Sequence, residues 1–266
     1  MAERKLRPVV DVTWLEQHAG EPDLWLGDVR GPNAHMRGHI PGARPLVLGS
    51  PMPMSDRDAL ASFAREIQLR LRRHGITGAE RLVLYDRGDG VGAMPAAQLA
   101  ELAGHPRVAI LLGGVAAWPG ELETGAVELE PVRETTIEAR LEAMPTREEL
   151  AARLGDASLT ILDVRRPEEY SGKAGSACDP RQGHIPGARH LQVDELFVAP
   201  GQPHAPERIR KLVGLDADAE IVAYCHSGSR SALATLALRS AGFANARNYA
   251  GSWHEWSRHP DLPVER

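Results

Sequence analysis

The phrase GHIPGAR occurs twice in this chain, at residues 38–44 and again at 183–189. Each time it follows an Asp-Val-Arg triplet that begins at Asp28 or Asp163. Ten positions separate Asp28 from Gly38 and twenty separate Asp163 from Gly183, so the second copy carries a ten-residue insertion. The echo continues downstream. RLVLYDRGDGVGAMPAAQLAELAG, starting at Arg81, parallels EIVAYCHSGSRSALATLALRSAG, starting at Glu220. GGVAAW, ending at Trp118, parallels GSWHEW, ending at Trp256. Thr13 with Glu16, and Thr146 with Glu149, have the spacing of helix-opening capping boxes. A period this long is not that of a solenoid. It is a tandem duplication of one small domain. The expected division is a first domain at 1–124, a polar linker at 125–135 and a second domain at 136–266.

Within each copy, short apolar runs alternate with helical stretches. LWLGDV and LTILDV, RLVLYD and EIVAYC, VAILLGG and ARNYAGS have the length and content of buried strands. Residues 59–74 and 207–213 read as helices between them. The expected fold class is α/β, with two domains, each a small parallel sheet with helices on both faces. Ligands of such sheets lie beyond the carboxyl ends of the strands. Cys225 stands at the end of IVAY, in that position.

The loop after Cys225 is CHSGSR, and a helix rich in Ala and Leu follows from Ser231 to Ala241. Gly228 permits a tight turn. The unpaired N–H groups of a helix N-terminus carry partial positive charge and cradle anions. A thiol at that mouth is favoured as thiolate, the nucleophilic form. His226 and Arg230 add positive charge, and Ser227 and Ser229 add hydroxyls. Such a run of polar groups would be costly in a core and suits a pocket.

The remaining composition is ordinary. The chain has 266 residues, 42% hydrophobic and 25% charged, with net charge −5. Nothing in that balance suggests a nucleic-acid footprint. Two cysteines, Cys178 and Cys225, do not make a disulfide framework. The N-terminus lacks a signal-peptide core and no apolar run approaches a membrane span, so a cytoplasmic protein with reduced thiols is expected. Eleven histidines are scattered without metal-ligand spacing, and neither a metal nor an organic cofactor is expected.

YCHSGSR, DVR, GHIPGA and GSWHEW, in that order and duplicated, resemble the rhodanese family of sulfurtransferases over nearly the whole chain. The resemblance implies two rhodanese-like domains and a ping-pong reaction. Cys225 takes the outer sulfur of a donor such as thiosulfate, carries it as a persulfide, and passes it to cyanide or a thiol. The implied partners are a small anionic donor and that acceptor, with a sulfur-acceptor protein also compatible, and neither nucleic acid nor membrane. The expected binding residues are His226, Ser227, Gly228, Ser229, Arg230, Arg165 and Trp253. Related phosphatases and arsenate reductases close their loop one residue later, as Cys-x5-Arg, whereas here Arg230 closes Cys-x4-Arg. The mercaptopyruvate enzymes read Cys-Gly-[Ser/Ala]-Gly-Val-Thr, which this loop does not match, and its cationic character suits thiosulfate better. A non-enzymatic rhodanese-like module would lack the cysteine.

Departures and doubles refine these expectations. Asp86 takes the place of Cys225 in the first copy; a carboxylate cannot carry a persulfide, so that copy is expected to be silent. Glu169 stands where many tandem members have a second donor-binding arginine. Arg165 has two readings, one in the pocket and one in an ion pair with a neighbouring carboxylate. Asp28 and Asp163, with His39 and His184, are matched across the copies and read as structural supports of the GHIPG loop. Trp256, matched by Trp118, reads as core, while Trp253 has no counterpart and is expected in the pocket. Cys178, in the insertion, reads as an exposed bystander or as a resolving thiol.

Overall fold

The structure, a computed structural model, describes residues 8–49, 56–127, 132 and 137–266. Most of the anticipated 125–135 linker therefore lies outside the described residues. The chain forms two compact units that part between Arg140 and Leu141, with 56–61 grouped with the second unit and Pro200–Gln202 with the first.

The first half contains β1 (Val9–Val10), α1 (Val12–His18), β2 (Leu24–Asp28), α2 (Pro32–Arg37), β3 (Arg44–Pro45), α3 (Arg57–Arg73), β4 (Arg81–Tyr85), α4 (Ala93–Leu102) and β5 (Val108–Leu111). Its sheet has the order β1-β5-β4-β2-β3, with every pair parallel. The second half contains α5 (Arg147–Ala152), β6 (Leu159–Asp163), α6 (Pro167–Tyr170), β7 (Arg189–His190), β8 (Phe197–Ala199), β9 (Gln202–Pro203), α7 (Pro206–Val213), β10 (Glu220–Tyr224), α8 (Ser229–Ser240), β11 (Ala246–Asn248) and α9 (Ser252–Trp256). Its parallel sheet runs β11-β10-β6-β7, the same order as β5-β4-β2-β3. The duplication read in the sequence is thus a duplication of topology.

The two-residue period of β10 explains its layers. Ile221, Ala223 and Cys225 point into one core with Ile209 and Val213 of α7 and Ala234, Ala237 and Leu238 of α8. Val222 and Tyr224 point to the other side, where Leu150, Trp253 and Trp256 pack. Both faces are buried, which is why the strand reads as continuously apolar rather than alternating. Burying each large apolar side chain contributes about 1.5–3 kcal/mol. Among the described residues, no helix is long and apolar enough to cross a membrane.

One expected cap is absent. Thr146 heads α5 in a reciprocal capping box with Glu149, as its spacing predicts. Thr13, however, lies inside α1, and Asp11 is the cap, its Oδ1 accepting the Trp14 N–H at 2.8 Å. The helix begins before Thr13 because Asp11 offers the same three-residue reach two positions earlier.

Candidate active site

Cys225 follows the last residue of β10 and is almost fully buried, with the loop wrapped over its sulfur. Gly228 takes a left-handed conformation, φ 89°, and caps α8. A Cβ there would sit 2.7 Å from the Ala250 carbonyl oxygen, so the turn admits only glycine. That turn aims the Gly228 N–H at Cys225 Sγ, 3.1 Å away. The Ser231 hydroxyl lies 3.4 Å from the sulfur and 3.1 Å from the Gly228 carbonyl, with one proton to give to either. From below, the Cys225 N–H donates to Ser252 Oγ at 3.1 Å, and the Cys225 carbonyl accepts the Trp253 N–H at 3.0 Å. Ser252 is the one non-glycine residue with positive φ (55°) among the described residues. Backbone strain of this kind persists where the surroundings over-determine it, commonly at functional sites.

The first copy shows what such a loop does with an anion. The buried Asp86 carboxylate accepts N–H groups from Gly88 at 2.8 Å, Gly90 at 3.3 Å, Gly92 at 3.0 Å and Ala93 at 3.0 Å. The side chain at the cysteine's position fills its own cradle.

At His226, the residue after Cys225, opens a pocket of about 450 Å³ that Arg166, Glu168, Glu169, Arg230 and residues 174–176 of the insertion also line. His226 and Arg230, both expected at the binding site, line this pocket. Glu169, which in the sequence stood out only as a departure from a second arginine, is their neighbour there. Arg230 donates from Nη1 to Glu169 Oε2 at 2.8 Å and from Nη2 to Oε1 at 2.9 Å, a bidentate pair. Burial alone would raise the Glu169 carboxyl, but the hydrogen bonds and charge of Arg230 bring it down to about 2. The pair's contribution is therefore fully present above the ordinary value of 4.5 and is lost only as pH falls through about 2.

Four expectations change. Arg165 is buried and does not line the pocket: its Nη2 donates to Asp163 Oδ2 at 2.6 Å and to the Gly183 carbonyl at 2.7 Å. Of its two readings, the ion pair is the one realised. Arg166 takes the pocket position instead. A signal for this was available, because Arg30 duplicates Arg165 in the first copy whereas Gly31 stands opposite Arg166. Trp253 is fully buried, its ring 4.7 Å from the Arg165 guanidinium and its Nε1 donating to the Arg181 carbonyl at 3.2 Å. It supports the loop by its backbone and lines no opening. Ser227 and Ser229 are exposed, and the hydroxyls near the sulfur belong to Ser231 and Ser252.

The matched aspartates support the GHIPG loop. The Tyr224 hydroxyl donates to Asp163 Oδ2 at 2.6 Å and accepts the Ile185 N–H at 3.1 Å. In the first copy Arg30 donates to Asp28 Oδ2 and to the Gly38 carbonyl, both at 2.6 Å, and Tyr85 accepts the Ile40 N–H.

Residues 11–121 and 146–259 each match the family described as "Rhodanese-like domain". The chain belongs to the rhodanese family. Among its rhodanese relatives, the thiosulfate sulfurtransferase of Azotobacter vinelandii is 33% identical, over 97% of this chain and 96% of that one. A probable 3-mercaptopyruvate sulfurtransferase of Pseudomonas aeruginosa is 34% identical, over 94% and 95%. A crystal structure of a probable thiosulfate sulfurtransferase superposes with TM-score 0.74 and 34% identity, covering 92% of this chain and 98% of the other.

Proposed function

We propose that this rhodanese moves a sulfane sulfur from thiosulfate to cyanide or a thiol through a persulfide on Cys225. The observation that carries this is the buried sulfur at the head of α8 with the Gly228 N–H directed at it. In the first half-reaction the Cys225 thiolate attacks the outer sulfur of thiosulfate. A Cys225–sulfur bond forms, the donor's S–S bond breaks, and its electron pair leaves with sulfite. In the second, the acceptor takes the outer sulfur and the thiolate returns, so no external oxidant or reductant is consumed. The Gly228 amide and the Ser231 hydroxyl stabilise the negative sulfur, in the manner of an oxyanion hole. The four amides that Asp86 collects in the first copy support reading this loop as an anion cradle.

Arg230, His226 and Arg166 are assigned to the anionic donor and the departing sulfite. Residues 136–266 are the catalytic domain in this reading, 1–124 the silent copy and 125–135 the join. A cytoplasmic setting, where thiols stay reduced, fits the two free cysteines. A second reading rests on the Glu169–Arg230 pair, which offsets part of the positive charge expected of the loop. A less cationic pocket suits a singly charged donor such as 3-mercaptopyruvate.

Steady-state kinetics with both donors distinguish the two. On the thiosulfate reading, wild type has the larger kcat/KM for thiosulfate, and a larger value for mercaptopyruvate would reverse the assignment. Charge-assisted hydrogen bonds contribute about 1.5–3 kcal/mol, so Arg230→Ala should raise the thiosulfate KM by roughly 10- to 100-fold. An unchanged KM would remove Arg230 from the donor site. Because Glu169 titrates near 2, this pair should put no inflection into the wild-type KM between pH 5 and 8.

A further inference from the structure

The ten-residue insertion brings a second constellation to the catalytic copy. Cys178 and Asp179 come from the insertion, His226 follows Cys225, and His254 lies in α9. One potential ligand atom from each of the four lies within 4.8 Å of the other three. His226 Nε2 is 3.0 Å from Asp179 Oδ2, and His254 Nδ1 is 3.2 Å from Asp179 Oδ1. Cys178 Sγ is 3.7 Å from Asp179 Oδ1 and 3.8 Å from His254 Nδ1.

Two atoms in this group stand out energetically. Asp179 Oδ2 and His226 Nε2 are buried and face each other at 3.0 Å, yet neither makes a hydrogen bond of good geometry, to the other or to a third group. The Asp179 side chain is 1% exposed. A buried carboxylate oxygen without a well-formed hydrogen bond is costly, and such groups are rare in folded proteins. A cation between the two atoms satisfies both.

We propose that Cys178, Asp179, His226 and His254 bind a divalent transition-metal ion, zinc foremost. One thiolate, two imidazoles and one carboxylate are the ligand types zinc takes in four-coordinate sites. With zinc–ligand bonds of about 2.0–2.3 Å, tetrahedral geometry puts N and O ligands roughly 3.3 Å apart and S roughly 3.6 Å from either. The N–O separations, 3.0 Å to Asp179 Oδ2 and 3.2 Å to Oδ1, and the sulfur separations, 3.7 and 3.8 Å, each fall within about 0.3 Å of those values. The remaining, wider gaps close by turning Cys178, which is exposed, and His254, whose side chain is 36% exposed.

Arg258 braces the ligands from outside, donating to Asp179 Oδ1 at 3.1 Å and to the Cys178 carbonyl at 2.6 Å. The thiolate and the carboxylate supply two negative charges against the ion, and Arg258 offsets one of them. None of the four ligands has a counterpart in the first copy: Arg87 stands opposite His226, Ala116 opposite His254, and the insertion is missing. Shared scaffold duties therefore do not account for them. A bound ion fixes His226, the residue after Cys225, through its buried Nε2. Binding itself does not depend on the proposed sulfur transfer.

The test is titration of the chelator-stripped full-length protein with Zn²⁺ and with Co²⁺. Wild type should take up one equivalent with Kd below about 1 µM. Its cobalt form should show intense visible absorption, typical of tetrahedral sites, and a thiolate-to-cobalt charge-transfer band. Cys225→Ser should keep both the equivalent and the band, which excludes Cys225 as the thiolate. Cys178→Ser should lose the band. Cys178→Ser and His254→Ala should each weaken zinc by at least about 100-fold, beyond the ~10–100-fold of losing an outer-shell partner. Far-UV circular dichroism checks that the variants are folded, and Cys178, being exposed, is the substitution least able to disturb folding. Failure of wild type to bind below about 10 µM zinc overturns the site. So does wild-type affinity in both folded variants, or a charge-transfer band that disappears with Cys225.

Discussion

Cys225→Ser loses sulfur transfer from either donor by at least about 10³-fold, while its melting temperature stays near that of wild type. Loss of a covalent nucleophile removes the intermediate itself, and such losses reach about 10⁶-fold in well-studied hydrolases. The serine is close to isosteric, keeps a hydrogen-bond acceptor for the Gly228 N–H, and leaves Gly228 free to hold its φ of 89°. Residual turnover within about tenfold of wild type would mean that the reacting sulfur is elsewhere. Cys178 would then be the only remaining thiol, since the chain has two cysteines. Assaying Cys178→Ser in parallel makes that attribution direct, and that variant retains transfer in the absence of added metal.

The second large effect is on stability. Asp163→Ala destabilises the protein by about 3–5 kcal/mol, the range for removing one partner of a buried ion pair. Asp163 and Arg165 are 0% and 1% exposed at their side chains, so the guanidinium left behind cannot reach water. Among the described residues its one other hydrogen-bond partner is the Gly183 carbonyl, and the Tyr224 hydroxyl loses its acceptor as well. Burial already pushes the Tyr224 hydroxyl well above its usual titration range, so ionising it offers no relief. The equivalent Asp28→Ala in the first copy costs less, because the Arg30 side chain is 16% exposed and can be solvated. Urea unfolding of both variants, read as a shift of midpoint at constant m-value, measures the difference. A cost below about 1 kcal/mol for Asp163→Ala, or a larger one for Asp28→Ala, would contradict this account of the paired triplets.

The duplicated phrases carried most of the fold. Asp-Val-Arg and GHIPGAR recur because in each copy the Asp-paired arginine donates to the loop's first carbonyl and a strand tyrosine accepts the loop's Ile N–H. The cradle was legible for a similar reason, since a glycine after a strand-end cysteine and before an Ala-rich helix leaves the backbone few choices. What the second copy read alone does not disclose is direction. Arg165 and Arg166 are adjacent and chemically identical, yet one points into an ion pair and the other to the pocket. Trp253 and its neighbour His254 likewise part, one into the core and one to the surface, because successive residues of a short helix face different sides. Spacing also hides the zinc-ligand set, as positions 178, 179, 226 and 254 meet only after β10, α9 and the insertion have been assembled. The Glu169–Arg230 pair was concealed because glutamate stood out only as a missing arginine, and pairing between positions 61 apart is a property of the fold.

The central claim is that Cys225 carries the sulfur, and intact-protein mass spectrometry after mixing with thiosulfate tests it most directly. The wild-type protein should gain one sulfur atom, lose it again on adding cyanide, and show no gain when Cys225 is replaced by alanine. A sulfur adduct that survives in Cys225→Ala, or no adduct in wild type with either donor, would contradict it.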